Sequence, residues 1–245
     1  PLFDAYSRQT FLDNLLRGGY PLLLGGKHIF HVYARKHGDL ERDYNDFVLP
    51  PEPYSQGNGN YRDVNQNRRN DVFFMPQAGE FNLRLFLSLI QADGYNPLVI
   101  NGLKFSLPAE GLSDLLTLVK KPPELADVFS SHFTPGDLFD AAQRAQPLIP
   151  AQEFLERVMS KAEAHIQAQH GEGYWVDHWT YLLDLVESYL AIFPDRKLAL
   201  LFESTPLPFY DSAWLVQPRE ARFVLYQGKA RQLHAVIKDE QKVAL

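Results

Sequence analysis

The chain has 245 residues, enough for one large or two small domains with a substantial core. Its net charge of -6 argues against a general nucleic-acid binder, which needs a basic footprint, and leaves room for a small local anion site. Cysteine is absent, which excludes disulfides and thiolate metal sites, and no apolar run approaches the roughly 20 residues that cross a bilayer.

From the N-terminus onward, residues 4 to 17 are predicted as an amphipathic helix, with Tyr6, Phe11, Leu12, Leu15 and Leu16 on one side and Gly18-Gly19 at its end. The N-terminus lacks the basic and apolar regions of a signal peptide and starts mid-pattern without Met, so the chain is expected to be a piece of a longer polypeptide. Residues 27 to 47 suggest a short extended run followed by a charged loop or helix, and the Pro, Gly and Asn of 50 to 63 suggest a loop. A helix is expected over 78 to 92, broken by Gly94 and Pro97, then a short extended segment and the Pro-rich 121 to 124. Residues 134 to 145 suggest a helix with Thr134 as N-cap and Pro135 at its first position. A long amphipathic helix is expected over 149 to 169, and another over 177 to 193, capped by Asp177 and stopped before Pro194. Residues 221 to 240 suggest two strands around a turn at Gly228. Helices in antiparallel-looking pairs with long polar loops predict a mainly α chain: part of a six-hairpin α/α toroid, one catalytic domain over 1 to 245, with a short C-terminal β-hairpin.

Residues 57 to 72, GNGNYRDVNQNRRNDV, hold the densest chemistry. Planar amides and aromatic rings are the groups that grip sugars: Tyr54, Gln56, Asn58, Asn60, Tyr61, Asn65, Gln66 and Asn67 supply them within a short stretch. Asp63 is a candidate acid for a glycosidic oxygen. Inverting hydrolysis needs a second carboxylate to activate water, whereas phosphate is already a nucleophile and needs only cations. One acid beside Arg62, Arg68 and Arg69 fits phosphorolysis better, because guanidinium forks match phosphate oxygens. The competing reading is a polar surface loop of Asx-turns. Residues 171 to 195 form a second candidate, with Tyr174, Trp175, Asp177, His178 and Trp179 at a helix start. They read either as a cavity wall or as an N-cap with packed aromatics. Arg8, Gln9, Asp13, Asn14 and Arg17 share the first helix with large apolar groups. Arg8 reads mainly as a solvated face, Arg17, against the Gly-Gly break, equally as that or as a site residue, and Arg35 and His37 further on mainly as a solvated charged face. Metal signals are weak: His28 and His31 are three apart, His165, His170 and His178 are scattered, and HExxH, EF-hand, phosphate-loop and GxSxG patterns are absent.

Asn60-Tyr61-Arg62-Asp63-Val64-Asn65-Gln66 resembles the RDxxQ segment of the inverting cellobiose-phosphorylase-like enzymes. Residues 174 to 179 with the adjoining LLDLVESYLAIFPD are similar to that family's cavity-lining helix. Phe202-Glu203 and Pro208-Phe209 resemble the stretch C-terminal to that helix. The polar first half is closer to the large β-1,3-glucan (laminari-oligosaccharide) phosphorylases. The resemblance implies Asp63 as general acid and Tyr61 as a sugar-holding residue. It also implies an α/α toroid, a cytosolic and as a rule bacterial setting, and inorganic phosphate as co-substrate, with no organic cofactor or metal. On this reading Asn60, Tyr61, Arg62, Gln66, Trp175, Asp177, His178 and Trp179 bind substrate, and Arg68 and Arg69 bind phosphate. The partners are a β-glucan oligosaccharide, phosphate and the rest of a longer chain, with a homodimer compatible and neither nucleic acid nor membrane involved. The rivals are an inverting hydrolase with Asp177 as base, and a non-catalytic helical carbohydrate-binding domain.

Overall fold

The computed structural model describes residues 3, 4, 7, 19–33, 53–94, 98–170, 178–203, 206–232 and 236–243. Most of the helix expected over 4 to 17, the charged run from 34 onward, and Tyr174, Trp175 and Asp177 lie outside them.

The first hairpin pairs β1 (Tyr20–Leu24) with β2 (His28–Val32), antiparallel, with Leu24 opposite His28. Its apolar residues Leu24, Ile29, Phe30 and Val32 are buried. The turn is built against a helix. Gly25 sits at φ +59°, and its N–H donates to Glu156 Oε2 at 2.7 Å. A Cβ on Gly25 would lie 2.3 Å from the Met159 carbonyl carbon and the Ser160 nitrogen, both backbone atoms that cannot give way cheaply. Gly25→Ala is therefore expected to cost at least about 2 kcal/mol, combining left-handed strain with displacement of the helix end. A shift in the urea midpoint reads this out, and an unchanged midpoint would mean that the hairpin does not seat there.

A loop then leads to β3 (Gly59–Asn60), α1 (Tyr61–Arg68), α2 (Asp71–Phe74) and α3 (Phe81–Ser88). The long strand β4 (Leu98–Ser106) pairs antiparallel with β3 on one side and with β5 (Glu163–His170) on the other. Between them in sequence come α4 (Pro135–Ala145) and α5 (Ala151–Lys161). Thr134 caps α4 through a reciprocal capping box with Asp137, and Pro135 occupies its first turn, as the residue types predict. The last long helix, α6 (His178–Ile192), ends ahead of Pro194. Then come β6 (Trp214–Val216), β7 (Phe223–Tyr226), β8 (Lys229–Gln232) and β9 (Val236–Lys238). β7 pairs with β8 around Gln227 and Gly228, and β6 pairs with β9.

Two apolar cores result. In the first, Leu138, Ala141, Ala142 and Ala145 of α4 and Phe154, Leu155, Val158 and Met159 of α5 meet Leu24, Phe30 and Val32 of the hairpin and Leu103 and Phe105 of β4. In the second, Tyr61 and Val64 of α1, Phe86 and Leu89, Ile100 of β4, and Leu182 and Leu185 of α6 pack together. β4 belongs to both, so it couples the helical pair to the α1–α6 region.

The toroid expected from the sequence does not form. About 50% of the described residues are helical and 23% lie in strands, the latter in several small antiparallel sheets. Toroid hairpins need successive long helices packed pairwise. Here α4 and α5 make one such pair; α1, α2 and α3 are short and lie between β3 and β4, and α6 comes after β5. The helix expected over 149 to 169 shows the reason. It is helical only to Lys161, and Glu163 to His170 form β5. Ala164, Ile166 and Ala168 alternate with Glu163, His165 and Gln167, a period-two pattern that β4 selects by pairing. The segment 20 to 24, for which the sequence suggests no element, is β1.

Candidate functional site

Asn60 has extended backbone torsions and caps α1. Its Oδ1 accepts from the Asp63 N–H at 2.9 Å, and its Nδ2 donates to Asp63 Oδ2 at 2.8 Å. The other carboxylate oxygen, Oδ1, faces Arg62 Nη1 at 3.4 Å. Asp63 is thus held on both oxygens at the positive end of a helix, and only 3% of it is exposed.

Tyr61 is fully buried. Its hydroxyl donates to the Phe86 carbonyl at 2.7 Å, its ring meets Phe86 edge-on, and His178 lies against it at 5.2 Å between ring centres. One turn further into α6, Tyr181 offers its ring face to Arg62 at 5.9 Å and to Arg69 at 5.2 Å. Arg69 also donates to Asp184 Oδ2 at 2.7 Å. Residues 61 to 69 and 178 to 184, more than a hundred positions apart in sequence, therefore form one packed unit. Gln66 is half-buried on α1, and Trp179 is an exposed residue at the start of α6.

The two arginines expected to hold phosphate each face a carboxylate. Arg69 pairs with Asp184, and Arg68 turns inward, 2% exposed, with Nε 3.5 Å from Asp71 Oδ2. Asp71 is the centre of a buried polar cluster that sequence reasoning missed. Its Oδ2 also takes hydrogen bonds from Asn82 Nδ2 at 2.9 Å and from the His31 ring at 2.7 Å. The i, i+3 spacing of Arg68 and Asp71 is visible in the sequence. The arrival of His31 and Asn82 is not. Asn65, fully buried on the same helix, has neither side-chain atom hydrogen-bonded, and Arg68 Nη2 is likewise without a partner. A cavity of about 50 Å³ lies beside this cluster, lined by His31, Gln56, Val64, Arg68 and Phe86 among others. His28 points elsewhere, to the Ala162 carbonyl at 3.0 Å. Among the described residues no group of three or more His, Asp or Glu is arranged to hold a metal ion.

Burial holds the His31 pKa below its ordinary 6.5, and Arg68 lowers it further, while Asp71 opposes both. An unfolded chain takes up this proton more readily than the folded one. The contribution of His31 to stability is thus present above about pH 6.5 and is lost as pH falls from there through the lower folded-state value. Asn at position 31 can still donate to Asp71 but does not titrate. The stability gap between the wild type and His31→Asn is expected to shift in favour of the variant as pH falls from about 7 to about 5, as thermal melts would show. A pH-independent gap would mean that His31 titrates alike in both states.

No helix among the described residues is long and apolar enough to cross a membrane. Compared with known proteins, the chain matches no family model, no curated protein and no solved structure.

Proposed function

We propose that the chain carries the acid-bearing part of an inverting glycoside phosphorylase acting on β-glucan oligosaccharides. The observation that carries this reading is the meeting of its two resembling segments: Tyr61 packs on His178, and Arg69 pairs with Asp184, at the two ends of the helix that carries the buried Asp63. In the proposed step Asp63 donates its proton to the glycosidic oxygen as the anomeric C–O bond breaks. A phosphate oxygen forms the new bond from the opposite face, leaving α-glucose 1-phosphate and a chain shorter by one unit. Asn60 and Arg62 then stabilise the carboxylate left on Asp63. Trp179 is exposed, and Asn60, Arg62, Gln66 and Arg69 are half-buried, open enough to meet a sugar. Tyr61 and His178 support the site from beneath. The reading carries with it a cytoplasmic setting and no cofactor beyond phosphate as co-substrate.

The test is incubation with laminari- and cello-oligosaccharides, with and without inorganic phosphate, assaying glucose 1-phosphate and free glucose separately. Phosphate-dependent glucose 1-phosphate supports the proposal and reports the linkage. Glucose released without phosphate replaces it with the hydrolase, and binding without either product replaces it with a carbohydrate-binding domain.

A further inference from the structure

A second opening lies on the other side of the loop that leads into Asn60. It is a cleft of about 300 Å³, lined by Tyr54, Gln56, Asn101, Leu103, Lys104, Thr134 and Gln167. Three features show that the backbone is shaped around it. In the β4–β5 ladder, Ile100 faces Ala168 and Gly102 faces Gln167, so Asn101 is the extra residue of a β-bulge and has no partner across the sheet. Bulges re-aim a side chain and recur beside functional sites. Gly102, at φ +112°, lets the Gln56 amide lie flat on β4; a Cβ there would come 2.3 Å from Gln56 Oε1. Gln56 is locked in that position, donating to the Leu103 carbonyl at 2.9 Å and accepting from the Leu103 N–H at 2.7 Å. Tyr54 adopts φ +56°, unusual for a bulky residue, and its hydroxyl donates to Gln152 Oε1 at 2.6 Å, which fixes the ring at the cleft wall.

The lining chemistry selects the ligand class. Among the described residues no carboxylate lines the cleft, so a cation finds no counter-charge there. The cation among its lining residues, Lys104, is an exposed rim residue, too little to hold an anion against water. With Gln56 held on Leu103 and the Thr134 hydroxyl held in its capping box with Asp137, what remains is the amides of Asn101 and Gln167 beside the ring of Tyr54. Such groups donate and accept to neighbouring hydroxyls of a neutral ring. The volume stands at the low end of ligand pockets, the size for one ring and not for a long chain. We propose that this cleft is a binding subsite for one neutral hexose unit of a glucan oligosaccharide, with Asn101 and Gln167 as its recognition residues. The identity of the sugar rests on the glucan reading above; the site itself does not use Asp63.

The test tracks side-chain amide resonances of Asn101 and Gln167 by two-dimensional NMR as laminaritriose is added to the Asp63→Asn protein. The resonances are assigned by their loss in Asn101→Ala and Gln167→Ala. Both are expected to shift saturably, and each alanine variant to weaken binding about tenfold at an unchanged melting temperature. If Asn101→Ala fails to fold, Gln167→Ala carries the same comparison. Resonances unmoved at saturating laminaritriose overturn the subsite. Glucose 1-phosphate from the wild type with no shift at the cleft leaves phosphorolysis standing and removes the subsite. Saturable shifts with no product in any assay leave the subsite and remove phosphorolysis.

Discussion

Asp71→Ala is expected to lower the unfolding free energy by about 3–5 kcal/mol, the largest loss of any single polar substitution among the described residues. Asp71 is 5% exposed and, among the described residues, is the carboxylate that faces Arg68, itself 2% exposed. Removing it strands a guanidinium that already has Nη2 without a hydrogen bond. It also strands His31 and Asn82, whose bonds to Oδ2 measure 2.7 Å and 2.9 Å. The cost of an unpaired buried charge exceeds what the pair contributes as a pair. The double variant Arg68→Leu, Asp71→Ala should therefore recover part of the loss, because no charge is left behind. Urea unfolding of the two single variants and the double one closes the cycle. A double variant no more stable than Asp71→Ala would show that the charge of Arg68 is not what Asp71 compensates.

On the proposed phosphorylase reading, Asp63→Asn is expected to reduce glucose 1-phosphate formation by about 10²–10⁴-fold, the span that a lost general acid commands. Its effect on stability should be small. The substituted asparagine keeps the backbone N–H that Asn60 Oδ1 accepts, and its own amide oxygen can still accept from Asn60 Nδ2. Asn60→Ala is the complementary change. It removes the cap from α1, at about 0.5–2 kcal/mol, while leaving the acid in place. Turnover measured below the melting temperature of each variant separates the two roles. If Asp63→Asn turns over close to the wild-type rate, Asp63 acts here as the partner of a cap and the proton comes from elsewhere.

Sequence and structure agree on several particulars. The cap at Thr134, the stop before Pro194 and the turn at Gly228 arise from residues within a few positions of each other, and all are present. The helix from 178 is equally local. The same local reading fails over 163 to 170. Ala, Ile, Gln and His there satisfy a helical as well as an alternating pattern, and only the unpaired edge of β4 breaks the tie. The toroid depends on that helix continuing, so it falls with it. The candidate site divides in the same manner. Asn60, Arg62 and Asp63 stand out in the sequence as a cluster, but as part of a loop; that Asn60 caps a helix beginning at Tyr61 is seen only in the fold. Arg68 and Arg69 look alike in the sequence, yet one faces the interior and one faces Asp184. Successive residues on a helix point about 100° apart, and only the packing of its neighbours determines which direction is buried.

Short-range physics is thus readable from the residues alone: capping residues, proline stops, the glycine turn, the absence of a disulfide, and a dense run of amides and arginines with the acids Asp63 and Asp71. Partnerships across long separations needed the folded chain. These are the strand β5 made from a helix-like run, the bulge that sets Asn101 apart, and the gathering of His31, Arg68 and Asn82 on Asp71. A hydrogen bond or an ion pair between distant residues depends on where two cores place their backbones, and no spacing along the chain encodes that placement.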